Sequence, residues 1–168
     1  SKILGIHGAE LGERFMPRVL EVLRNAKRAK KIVTWDTVVD SFGHWGRFSD
    51  AEFREILDSI DVFIPSIGEA RAIIQAREKG KMSEAEVQAM TPEEIAAYFI
   101  GKGSRAVFLK LGKDGAYVRT LPHSMFGEDV TVKLPVLQGL KMVDETGMGD
   151  AYAGAVIKGV IMRWPVLK

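Results

Sequence analysis

A chain of 168 residues, 46% apolar and 27% charged, is long enough for one domain with a hydrophobic core of its own. Its 24 Lys plus Arg stand against 22 Asp plus Glu, and a formal charge of +2 argues against nucleic acid or an anionic membrane as partner. With no cysteine there is no disulfide framework and no thiolate metal site, and no apolar run reaches the roughly 20 residues of a membrane span, so a cytoplasmic location is the expectation.

Short strand-like runs alternate with longer helical ones, the pattern of an α/β fold with a largely parallel sheet. Residues 2–6 read as the first strand. Phe15, Val19, Leu20, Val22, Leu23 and Ala26 then recur at helical spacing, which predicts an amphipathic helix over 13–29. The basic run at 24–31 falls at its end, where cations suit the carbonyl pole of the dipole, and is read as a solvated helix end. Residues 31–35 form a buried strand, and 36–48 a loop rich in Asp, Gly and aromatics. Ser49 and Glu52 make a capping box for a helix that reaches about Ser59. A strand at 61–64 stops at Pro65, and 68–77 is helical. Two further capping boxes follow, Ser83 with Glu86 and Thr91 with Glu94, the second with Pro92 at the first helical position. Strands at 105–111 and 116–119 meet across a hairpin-type turn, 112–115, and 130–134 is one more strand. The last helix runs from near Gly149 to Trp164. One domain is the simplest reading, and both ends of the chain look cut from something larger.

The strongest local signal is Asp144-Glu145-Thr146-Gly147-Met148-Gly149-Asp150, which follows an extended segment and opens an apolar helix. Glycines there let a ligand approach the backbone, and the first-turn amides lack intrahelical partners. Amides and dipole together make an anion site, for which a phosphate is the natural guest. Asp150, in the first helical turn, is placed to orient a hydroxyl beside a bound phosphoryl group and take its proton. A Walker-type loop is excluded, because the Gly-Lys pairs at Gly80, Gly101 and Gly112 lack the following Ser or Thr. A dinucleotide fingerprint is excluded by Tyr152 where a small residue is needed.

At these residues the chain resembles the ribokinase-like (PfkB) carbohydrate kinase family, whose signature reads D-x-x-G-x-G-D before small and apolar residues. The resemblance implies a three-layer α/β/α core, an anion hole at Gly147, Met148 and Gly149, and Asp150 as catalytic base. Met148 stands where the family usually has Ala. Lys110-Leu111-Gly112-Lys113-Asp114-Gly115 is similar to a family segment beside the ATP phosphates, which implies nucleotide contacts for Lys110, Gly112, Gly115 and Thr146. Pro65-Ser66-Ile67-Gly68-Glu69 is similar to the N-x-x-E element that holds hydrated Mg²⁺, with Glu69 matching and Ser66 in place of Asn. Asp36, Asp40, Gly43 and Trp45 match a stretch seen in some members, although capping explains either Asp equally well. Asp144 and Thr146 match a monovalent-cation (K⁺) site of some members, and a structural turn explains them as well.

The family implies ATP and Mg²⁺ as cofactors, a small sugar or nucleoside as acceptor, and a homodimer in the full-length protein. It also implies an N-terminal half with substrate contacts and lid, and last helices, that 1–168 does not contain, so this piece alone is expected to be inactive. A non-catalytic nucleotide-binding or regulatory module of the same fold is the alternative. His7, His44 and His123 share no ligand spacing and are read as surface or packing residues.

Overall fold

The computed structural model describes residues 2–136 and 147–166. Within them, six strands form one sheet whose spatial order follows the chain. β1 (Ile3–His7), β2 (Ile32–Asp36), β3 (Val62–Ile64) and β4 (Ala106–Lys110) run parallel, while β5 (Ala116–Thr120) and β6 (Thr131–Leu134) return antiparallel. Register does the positioning. It sets His7 opposite Asp36, and Asp36 opposite Ile64, so that side chains remote in sequence meet at one end of the sheet.

Alternation along the strands divides the interior in two. Trp35, Phe63, Val107 and Leu109 face one layer, and Val62, Ile64, Ala106 and Phe108 face the other. The first layer holds α1 (Val19–Arg28), α2 (Asp50–Asp58), α3 (Ile67–Arg77), α4 (Glu84–Ala89) and α5 (Pro92–Gly101), each with buried residues in that core. The second holds α6 (Met148–Met162), which buries Ala153 and Val160. This is the expected three-layer α/β/α arrangement. The Phe63 and Phe99 rings, 5.0 Å apart, join sheet to α5, and each such buried aromatic is worth roughly 1.5–3 kcal/mol over its exposed state.

The helix expected over 13–29 is shorter than its apolar spacing suggested. A one-turn 3₁₀ segment, Met16–Arg18, precedes α1, because Pro17 has no N–H to give and its ring disfavours a preceding α-helical turn. The three capping boxes form, with serine or threonine oxygens accepting the N3 amides of Glu52, Glu86 and Glu94. A fourth was not anticipated. Ser66 caps α3, its hydroxyl accepting from the Glu69 amide while the Glu69 carboxylate accepts from the Ser66 amide. The basic run serves helix pairing: Arg24 and Lys27 reach Glu55 and Asp58 of α2.

Candidate active site

The C-terminal ends of the parallel strands meet the N-terminus of α6, the place where open α/β sheets bind ligands. Asp36, the last residue of β2, is only 2% exposed. Its Oδ1 lies 2.5 Å from Lys110 Nζ at the end of β4. Its Oδ2, otherwise without a hydrogen-bond partner, lies 2.8 Å from Nδ1 of His7 at the end of β1. His7 Nε2 in turn stands 3.5 Å from Asp150 Oδ1. A buried carboxylate requires such neighbours, since an unpaired charge there would cost several kcal/mol. Lys110 is held in place by its own amide, which donates to the Pro65 carbonyl at 2.8 Å.

The turn into α6 is open. Gly147 has φ +80, a left-handed conformation that glycine adopts without strain, and the Ala151 amide closes on its carbonyl at 2.9 Å. No described atom lies within 4 Å of where a Cβ on Gly147 would sit. A Cβ on Gly149 would lie 3.7 Å from Lys110 Nζ, so the lysine cation flanks the amides that begin the helix. Met148 points outward and is exposed, which is how the turn accommodates a side chain bulkier than Ala. The Asp150 side chain is 71% exposed and faces His7. Gly147, Met148, Gly149, Asp150 and Lys110 therefore converge.

Other expected residues have different surroundings. Glu69 Oε2 accepts from the Ser66 amide and from the Thr37 hydroxyl, both at 2.8 Å, so this oxygen serves the helix cap as well as facing the strand ends. Gly112 (φ +59) opens on free space, whereas a Cβ on Gly115 (φ +91) would lie 1.9 Å from the Leu134 carbonyl oxygen. Gly115 is thus required by the close passage of β6, whatever the nucleotide needs. Asp40 caps its loop, accepting from the amides of Phe42 and Trp45, which leaves Asp36 as the member of that pair in the site. Thr146 and Asp144 lie outside the described residues. His44 is buried beside Phe42 and His123 is exposed, in keeping with packing and surface roles.

His7 lies at the surface, as expected, but sheet register also brings it between two carboxylates, which residue spacing does not show. Its position at the end of a parallel strand was the signal available. Thr37 and Glu10 were also missed. Glu10 is fully buried in a 3₁₀ turn after β1, its Oε1 accepting from Trp35 Nε1 at 3.1 Å and its Oε2 left without a hydrogen-bond partner. Burial pushes its carboxyl up to about 7, against the lowering effect of the amides of Glu10 and Val38 and of the Trp35 indole; the charge of Glu69 adds to the rise.

Residues 5–167 match the sequence model of the pfkB family carbohydrate kinases. The chain is 41% identical to a 2-dehydro-3-deoxygluconokinase of Bacillus subtilis (strain 168) over 71 residues, 42% of this chain and 20% of that protein. It is 32% identical to a 5-dehydro-2-deoxygluconokinase of Clostridium perfringens (strain 13 / Type A) over 127 residues, 70% of this chain and 35% of that one. Its fold is similar to that of a putative ribokinase II from E. coli solved in complex with ATP and Mg²⁺, with a TM-score of 0.61 at 22% identity, covering 96% of this chain and 46% of the other. The chain thus spans less than half the length of each of these three. No described helix is long and apolar enough to cross a membrane.

Proposed function

The chain belongs to the pfkB family of carbohydrate kinases, and from that premise we propose that it carries the nucleotide-binding and catalytic part of an enzyme that transfers the γ-phosphoryl group of ATP to a hydroxyl of a small sugar. The observation that carries this reading is the juxtaposition of an open helix N-terminus, the Lys110 cation and the exposed Asp150 carboxylate at one end of the sheet.

Each part has a task. The unpartnered amides that begin α6 hold the oxygens of the transferring group, where preorganised donors count for more than they would in water. Lys110 adds a cation beside them. Asp150 orients the acceptor hydroxyl and takes its proton as the new O–P bond forms. The donor set suits magnesium, which keeps much of its water and needs one or two carboxylates; Glu69 is the residue that would hold it. When bound, Mg²⁺ offsets the negative charge of the phosphates. The acceptors to test first are the keto-deoxy sugar acids that name the two bacterial relatives, followed by ribose and nucleosides.

The test is a coupled ADP-release assay on the full-length polypeptide with that acceptor panel and Mg-ATP. Asp150→Ala is expected to lower turnover by at least about 10²-fold while ATP affinity holds. Wild-type turnover in Asp150→Ala would sink the assignment of the base. Tight ATP binding with no acceptor turned over by the wild type would favour the non-catalytic module.

A further inference from the structure

Building on the reading of Asp150 as base, we propose that His7 is the relay that clears the proton from Asp150 after each transfer, with Asp36 as the positioning residue that fixes its imidazole. Asp36 Oδ2 is a buried acceptor whose near donor is His7 Nδ1, 2.8 Å away. Buried acceptors are almost always satisfied, so the proton of a neutral His7 belongs on Nδ1. That places the lone pair on Nε2, the atom that faces Asp150 Oδ1. At 3.5 Å from Asp150 Oδ1 this nitrogen is a neighbour beyond ordinary hydrogen-bond length, so the contact must shorten for a proton to pass. Once Asp150 is protonated the same pair becomes donor and acceptor, and the contact can close.

The balance is as follows. The acceptor O–H breaks and its oxygen bonds to the γ-phosphorus. The bridging P–O bond to the β-phosphate breaks, and its electron pair leaves on ADP. The proton passes from the hydroxyl to Asp150, from Asp150 to His7 Nε2, and from the imidazolium to water. Asp150 and His7 both end unprotonated, ready for the next turn. His7 suits the last step because it is 54% exposed and can hand the proton to water. Among the described residues, the charged groups around it are Asp36 from β2 and Asp150 from α6, with Lys110 from β4 acting through Asp36. The transient imidazolium is therefore paired with a buried carboxylate.

Two measurements test the relay. With an acceptor turned over by the full-length enzyme, His7→Gln should lower kcat about 10- to 100-fold and leave KM for ATP within about twofold. Added imidazole should restore part of the kcat lost in His7→Ala. Retained kcat, or a loss that imidazole does not mend, overturns the relay. If His7 proves dispensable while Asp150 is essential, the relay alone fails; if Asp150→Ala turns over normally, the underlying assignment fails. The second measurement needs no acceptor. ¹⁵N spectra of the histidine rings should show neutral His7 protonated on Nδ1, and Asp36→Asn should weaken that preference. A neutral ring protonated on Nε2 would overturn the proposal.

Discussion

Glu10→Gln separates the electrostatic cost of the buried carboxylate from its packing. The Glu10 carboxyl is raised from 4.5 to about 7, chiefly by burial. Between those values the folded state holds a proton that the unfolded state has released. Stability contributed by this group is therefore complete below pH 4.5, falls as pH rises, and is flat again above about 7. A displacement of this size corresponds to about 3 kcal/mol between the two plateaus. Gln keeps a carbonyl oxygen for the Trp35 indole and cannot ionise. The new NH2 takes the place of an oxygen that makes no hydrogen bond, in surroundings whose amides of Glu10 and Val38 are donors, and burying it costs roughly 1 kcal/mol at every pH. Glu10→Gln should thus be slightly less stable than the wild type at pH 4.5 and more stable by about 2 kcal/mol at pH 8. Urea unfolding at four or five pH values, followed by tryptophan fluorescence, measures the difference; Trp35 itself is fully buried and reports the site. Parallel curves for the two proteins from pH 4.5 to 8 would refute the reasoning, because they would mean that Glu10 titrates alike folded and unfolded.

Three sets of substitutions probe the frame of the site. Gly115→Ala sets a Cβ 1.9 Å from the Leu134 carbonyl at φ +91 and should cost about 2–4 kcal/mol, whereas Gly112→Ala, facing open space, should cost roughly 1–2; thermal melts rank them. Ser66→Asn should hold stability within about 0.5 kcal/mol because Asn caps as well as Ser, while Ser66→Ala should lose about 1 kcal/mol and raise the Mg²⁺ concentration that turnover requires by loosening Glu69. Lys110→Met leaves Asp36 buried without its cation and should cost roughly 3 kcal/mol or more in denaturant titrations, of which Lys110→Met with Asp36→Asn should recover a part.

The fold was legible where its causes are local. Capping boxes are three residues long, and the runs at 31–35 and 105–111 are apolar enough to stand as strands alone. Where two local signals conflict, the backbone constraint wins: the spacing of Phe15 and Val19 predicts one helix through Pro17, but the α-helix begins only at Val19, after the 3₁₀ turn that holds the proline. At Ser66-Ile67-Gly68-Glu69 the resemblance to a metal-binding element and a capping box rest on the same two residues, and the cap is what the structure shows, with Glu69 Oε2 stabilising the start of the helix that carries it.

The site divides along the same line. The turn from Gly147 to Asp150, the proposed anion site, is contiguous in sequence, and amides at a helix start need no distant partner to attract an anion. Asp36 and Lys110, by contrast, are 74 positions apart, and His7 meets Asp36 only because β1 and β2 pair in the register that sets them side by side. A slip of one residue would turn each side chain to the opposite face of the sheet and dissolve the cluster. Its chemistry is therefore a property of strand pairing, which the spacing of residues along the chain does not encode. That also explains why Asp40 and Asp36 were equivalent on paper: each is a plausible cap, but Asp40 finds its partners in the amides of Phe42 and Trp45 next to it, whereas Asp36, at the end of β2, has only the neighbouring strands to neutralise it. The buried carboxylate is thus committed on both sides, to the lysine that flanks the turn into α6 and to the histidine that faces Asp150, and a change at either one must be felt at the other.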